Sequence, residues 1–483
     1  MIVRLCPSGL PSFPRLALLA LLAVLALVPL PATAANILVT TLSDADAVDG
    51  QCSLREAIAA ANGNSPYNEC IAGTGTSDRI VLTVPGTILL TANLPELFES
   101  AALLGLGAGT SILDGQNAQT LLRLDEGGSG ETFRVERLSL SRGAGRASGS
   151  ALNAGAHAVV IRDAALSSST ATLRGGAIAT LGTDLRLERV WLSANTVTGD
   201  TGGGAIFANG GSLRLVASTV ESNATTHAAA SGGGIFMISG VAVEIRDSTL
   251  SGNSTLGMGG GAYFNGPGDI ADLDIHVTRS TITQNHANVD ATNGFERGGG
   301  LVLGGGVSTS TNLHLVNSIV AENTDASPSG AAPDLALFGI TAATSLGFNI
   351  VGDNSTVETQ FPAGLPNADG DGVGTSASPV DPQLDPLALS GGMMPVHAPT
   401  AVAPSIVIDK GNCPGVVRDQ RGYGLAATGL RIYDAPAVAN NPAGDACDVG
   451  AVEIGTLAAL AAPEILIDGF ESGTLLFWDL DVP

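Results

Sequence analysis

The residues best suited to chemistry are a scatter of acidic and basic side chains in the middle of the chain: Arg246-Asp247, Asp272, Asp274, Arg279 and Asp290. Paired carboxylates cleave glycosidic bonds by general acid and base action. Carboxylates around calcium, with a nearby base, serve elimination from acidic sugars. Asp247, Asp272, Asp274 and Arg279 are therefore the residues a carbohydrate-active enzyme of this sequence would use. A second set is Asn367-Ala-Asp369-Gly-Asp371-Gly372, half of a calcium loop. Asp369 and Asp371 are its ligand candidates, but position twelve is Ser378, not the bidentate Glu such a loop needs. Phe207, Phe236 and Phe264 could stack on sugar rings, although an inward aromatic stack accounts for them more simply. The six histidines are scattered, and His276 and His314 share an outward position. No Gly-x-Ser-x-Gly, His-Glu-x-x-His or phosphate-binding glycine loop ending in Lys is present.

Any such site must be positioned by a repeat. Leu213 and Leu215 are followed by Ser218, Val220 and Asn223, then by a loop and Gly232-Gly-Gly-Ile-Phe236. The same frame returns as Val243, Ile245, Ser248, Leu250, Asn253 and Gly259-Gly-Gly261. It returns again as Ile275, Val277, Ser280, Ile282, Asn285 and Gly298-Gly-Gly300. Leu185 to Asn195 and Leu313 to Asn323 extend it on either side. Apolar residues two apart make a strand with one buried face, and the glycines mark a turn or a close backbone approach. Three short strands per period predict the coil of a right-handed parallel β-helix, an all-β solenoid of on the order of ten coils and roughly 50 Å. In this reading Asn195, Asn223, Asn253, Asn285 and Asn323 close one turn, because Asn tolerates left-handed backbone. Their side chains stack coil to coil, which accounts for the column without a ligand.

Composition narrows the function. A formal charge of −24, with Lys410 as the one lysine, argues against nucleic acid and anionic membrane surfaces as partners. Arg4 and Arg15, the apolar run Leu16–Leu30 and Ala32-Thr33-Ala34 read as a secretory signal over residues 1–34. No later segment is long and apolar enough to span a bilayer. Four cysteines remain in two distant pairs, which points to Cys52–Cys70 and Cys413–Cys447 disulfides in an oxidising compartment. A metal site is the rival reading.

Ahead of the repeat, Ser53 and Glu56 have capping-box spacing, and Asn62-Gly63 ends a short helix that would cover the first coil. Arg55-Glu56 reads as a solvated ion pair rather than a catalytic one. The stretch Cys52-Ser-Leu-Arg-Glu-Ala57, followed by Ala-Ala-Asn62, resembles the CSLREA domain found near the N-termini of exported bacterial β-helix proteins. After Leu346-Gly-Phe-Asn-Ile-Val-Gly352 the frame is lost. Asp381-Pro-Gln-Leu-Asp-Pro-Leu387, Pro395-Val-His397, Asp419-Gln-Arg-Gly422 and Cys447-Asp-Val-Gly-Ala451 are similar to the choice-of-anchor Q domain, with Met394 where that family often has Pro or Thr. The tail Ile467-Asp-Gly-Phe-Glu-Ser-Gly473 looks like a short terminal motif of exported proteins of some Gram-negative bacteria, and suits a sorting signal or an exposed docking strand.

The expected organisation is a signal (1–34), an N-terminal cap (35–78), the parallel β-helix (79–350), a choice-of-anchor Q-like region that finishes and caps it (351–455), and a linker with the tail (456–483). The resemblance implies an exported surface or secreted protein. The expected function is non-catalytic adhesion, or contact with matrix and glycan, with no cofactor apart from a weak case for calcium. The alternative is a polysaccharide lyase or glycoside hydrolase.

Overall fold

The computed structural model describes residues 34–454 apart from 76, 129, 267–271, 292–297, 306–309, 329–330, 340, 391, 401–403, 417, 423–433 and 436–437. The proposed signal and tail lie outside these residues. The chain is a parallel β-helix of about nine turns. A 20-stranded sheet forms two of its faces, an 8-stranded sheet a third, and two short ladders a narrow fourth side.

One coil shows how the sequence makes the fold. Ser212–Val216 runs along the first face with Leu213 and Leu215 inward. Ala217, at φ 48°, turns the chain, and Thr219–Glu221 crosses the second face with Val220 inward. A second left-handed residue, Ser222, turns it again. After the loop, Ile235–Ile238 forms the third face. Like stacks on like from coil to coil: Leu213 pairs with Val243, Leu215 with Ile245, and Val220 with Leu250. These columns are buried essentially completely. At ~4.8 Å per coil the stack is ~45 Å long.

The glycines serve two geometric needs. Gly232 sits at φ +67°, and a Cβ there would lie 2.8 Å from the Cβ of Phe236. A Cβ on Gly233 would point along the stack into the carbonyl oxygen of Gly260 at 2.4 Å. The first position needs left-handed backbone, and the second needs the absence of a side chain.

Helix α1 (Leu54–Gly63) lies over the first coil, and its capping box joins Ser53 and Glu56. It runs one residue further than expected, and Asn64, at φ 48°, is its C-cap. Arg55 and Glu56 do not form a pair. Arg55 clamps Asp44 through Nη2 at 2.8 and 2.9 Å and also donates to the carbonyls of Ala92 and Asn93. Buried Glu56 accepts hydrogen bonds from Ser53 N, Ala47 N and Asn68 Nδ2. Cys52 is bonded to Cys70 against this helix, with 5.0 Å between Cα atoms.

The C-terminal region does more than close the stack. Gly372–Val373 adds a last rung beside Ile350–Val351. The chain then turns back along the outside of the second face. Val380, Val407 and Val449 pack on Ile319, Ala321 and Ile350. Further along, Ala451 N donates to Thr281 Oγ1 at 3.1 Å. Gln420 bonds Thr249 Oγ1 at 2.6 Å and Thr219 Oγ1 at 2.8 Å. The Cys413–Cys447 disulfide holds this strap together beside Asn317, whose Nδ2 lies 3.2 Å from Cys413 Sγ.

Candidate functional site

Asp247 and Arg279 occupy the same position of successive coils, the left-handed bend between the first and second faces, at φ 49° and 46°. That register brings them together: Arg279 Nε donates to Asp247 Oδ1 at 2.8 Å and Nη2 to Oδ2 at 3.0 Å. Asp163 and Arg189 hold the same bend position three coils earlier and make the same bidentate pair at 2.5 and 2.8 Å. A pair that recurs at equivalent bends is a coil-to-coil clamp. Arg246 turns toward Glu244 at 3.4 Å.

The other enzyme candidates are placed elsewhere. Asp274 is the second residue of the first-face strand Leu273–Thr278 and accepts from Asn312 Nδ2 at 3.1 Å. Five residues of extended chain separate it from Arg279, roughly 16 Å. Asp272 accepts from Ser310 N, which holds its carboxyl below the usual carboxylate range. No group of three or more His, Cys, Asp or Glu converges as metal ligands among the described residues.

The half calcium loop is likewise built for another purpose. Asp369 is exposed, whereas Asp371 is fully buried and accepts from both N and Nδ2 of Asn349.

Asp371 is in fact the end of a ladder. Ser218, Ser248, Ser280 and Ser318 recur in the sequence without an evident role. In the structure each Oγ accepts the backbone N–H of the coil before it, at 3.0–3.3 Å. Ser318 N passes to Asn349 Oδ1, and Asn349 to Asp371.

The asparagine column makes a parallel ladder. Asn195, Asn223, Asn253 and Asn285 each give Nδ2–H to the next Asn Oδ1 at 2.9 Å. Asn323 gives its own to Asp334 Oδ1 at 2.8 Å. The turn itself belongs to the residue before each of these asparagines, such as Ala194, Ser222 or Gln284; the asparagines are inward and buried. This corrects the expectation that they adopt the left-handed backbone.

Both ladders thus end on an acid that only needs to accept. Burial pushes Asp334 up to about 7, against the N–H donors of Asn323 and Asp353 that favour its charge. Asp371 is raised by burial in the same way. An acid whose folded pKa exceeds its unfolded value of about 3.9 contributes stability that is complete below pH ~4. That stability is lost as the pH rises through the folded value. The urea midpoint of the protein is therefore expected to fall between pH 5 and 8, by the equivalent of about 2–4 kcal/mol. Asp334→Asn, which cannot ionise, should flatten that dependence; an unchanged slope in the variant would show that Asp334 does not ionise on unfolding.

The aromatic residues are also redistributed. Phe264 is inward, level with Met237, while the outward column is Phe207, Phe236 and Tyr263. Phe236 and Tyr263 are stacked, with centroids 5.2 Å apart and planes at 18°. Rings piled along the stack spend their faces on each other and turn edges outward, which is poor geometry for a sugar face. Phe207 is turned by 70° to Phe236 and carries the Arg174 guanidinium 4.9 Å from its centroid. Among the histidines, His276 and His314 stack at 4.7 Å on the first face. His397 is buried in the strap, with Nδ1 2.7 Å from the carbonyl of Asp385 and Nε2 2.8 Å from Ser251 Oγ. Geometrically that is a Ser–His pair, but both residues are almost completely buried and pin the strap to the coil.

A lateral groove with convergent polar groups lies on the third face. It has a volume of about 400 Å³ and crosses the third face at Asn153, Ala179, Leu181 and Phe207, with Arg146, Ser148 and Arg174 on its rim. Comparison with protein-family models, with curated proteins and with solved structures yields no match.

Proposed function

We propose that the chain is an exported, non-catalytic β-helix protein of the CSLREA and choice-of-anchor Q type. It would be displayed at, or released from, the surface of a Gram-negative bacterium and act by contact with extracellular glycan or matrix along its lateral faces. The observation that carries this reading is the repetition of the Asp163–Arg189 clamp as Asp247–Arg279, which gives the best-placed enzyme carboxylate a structural partner. Two disulfides support an oxidising location, and no helix among the described residues is long and apolar enough to cross a membrane. Mature protein starting at Ala35 is expected to release neither reducing ends nor unsaturated products from acidic or neutral polysaccharides, with or without calcium, while retaining ligands on a glycan array. Turnover that disappears in Asp247→Asn or Asp274→Asn would overturn this reading in favour of a polysaccharide lyase or hydrolase. A blank array would remove the glycan contact.

A further inference from the structure

We infer that the third-face groove is a binding site for a carboxylate-bearing sugar, with Arg174 as the residue that grips the carboxylate. The inference rests on the glycan-contact reading and names its site and ligand class.

Arg174 differs from most arginines of this chain. Arg142, Arg162, Arg189, Arg214 and Arg279 are each paired with a carboxylate of their own or a neighbouring coil. Among the described residues no carboxylate pairs with Arg174. Its position is nevertheless fixed. Nε donates to Ser148 Oγ at 3.1 Å, and the guanidinium lies over the buried Phe207 ring. A half-buried guanidinium held by its Nε and by a ring face keeps its two Nη groups for a ligand, in the planar fork that matches a carboxylate.

The surroundings suit a sugar. Asn153 is oriented by donating Nδ2 to the Ser148 carbonyl at 2.9 Å, which leaves its Oδ1 as an acceptor for a hydroxyl. Ala179 and the exposed Leu181 offer an apolar floor for ring C–H groups. Arg146 is neutralised by Glu126 at 3.0 Å, so the groove keeps one net positive charge, that of Arg174. A peptide would need free backbone to pair with. The strands of this face are already paired on both sides, from Leu122–Leu124 through Ile178–Leu181 to Ile206–Asn209, so recognition here is by side chains alone. The formal charge of −24 repels a long polyanion, which restricts the ligand to a single uronate at a chain end or as a sparse substituent.

The test is titration calorimetry of the mature protein with a glucuronate-bearing disaccharide and with its carboxyl-reduced, neutral counterpart. The acidic sugar is expected to bind at least tenfold more tightly. Arg174→Gln should abolish that preference. Arg174→Lys, which keeps the charge but not the fork, should lose most of it. Asn153→Ala should weaken both sugars alike. Melting curves of the variants separate lost binding from lost fold, and Arg174→Lys is the decisive variant if Arg174→Gln unfolds. Equal binding of the two sugars, no binding of either, or wild-type binding by a folded Arg174→Lys protein would overturn the site. An array that still retains glycans in that last case leaves the function proposed above intact. Equally tight binding of a carboxylate-terminated peptide would also overturn the assignment to sugar.

Discussion

Leu250→Asp is expected to prevent the central coils from folding, while Arg214→Ala, one coil away, should shift stability by less than about 0.5 kcal/mol. Leu250 is fully buried, with Val220 on one side and Ile282 on the other. An aspartate there has no cation within the apolar column. Its burial costs more than about 5 kcal/mol, or forces the coil open to water. Leu250→Val should be mild, because Val220 and Val320 already occupy the same column. Arg214 points outward from the first face and pairs with Glu244 at 2.5 Å, both side chains being substantially solvated. Exposed pairs of this kind contribute little. Thermal melts followed by circular dichroism check the comparison, and equal melting of the Leu250→Asp and Arg214→Ala variants would mean that the inward register is wrong.

Asn253→Leu should be nearly as damaging, although it replaces a polar residue with an apolar one of similar size. Asn253 Oδ1 accepts both the backbone N–H and the Nδ2–H of Asn223, at 3.1 and 2.9 Å. Its own Nδ2–H serves Val220 O and Asn285 Oδ1. Leucine leaves two buried donors without acceptors and two acceptors short of a donor. At about 1–3 kcal/mol for each of the two orphaned donors, a loss of about 2–6 kcal/mol is expected. Ser169→Ala, at the start of the same ladder, deprives only Gly143 N of an acceptor and should cost about 1–2 kcal/mol. Urea denaturation of the two variants measures the contrast, and equal losses would mean that the column is not a connected ladder.

The inward columns and the cysteine pairs were legible because each rests on local pattern: apolar residues two apart, and cysteines near one another in the chain. The asparagines were half legible. Their recurrence shows that they matter, but an amide can either adopt a left-handed turn or bond between coils. Only the folded chain shows that the turn falls one residue earlier. The aromatic column was misread by following residue type over spacing. Phe236 and Tyr263 each lie four residues after the left-handed glycine, Gly232 and Gly259, whereas Phe264 lies five after it. The strap was illegible for a different reason. Its hydrogen bonds to Thr219, Thr249, Ser251 and the Ser218 carbonyl join residues 146 to 202 positions apart, and nothing local marks these residues as its seats. The clamp formed by Asp247 and Arg279 follows from a bend that recurs at intervals of varying length, so sequence distance alone hides that the two are neighbours.

The direction of the asparagine ladder bears on how such a chain can change size. Every interior rung receives from the coil before it and gives to the coil after it in the same way. A duplicated or deleted coil therefore leaves each remaining amide with the partners it had. The reach of the lateral surface becomes a quantity that inheritance can adjust in whole steps, without redesigning either end. What such lengthening must preserve is the stop: one residue that takes hydrogen bonds and passes none on, the place held by Asp334.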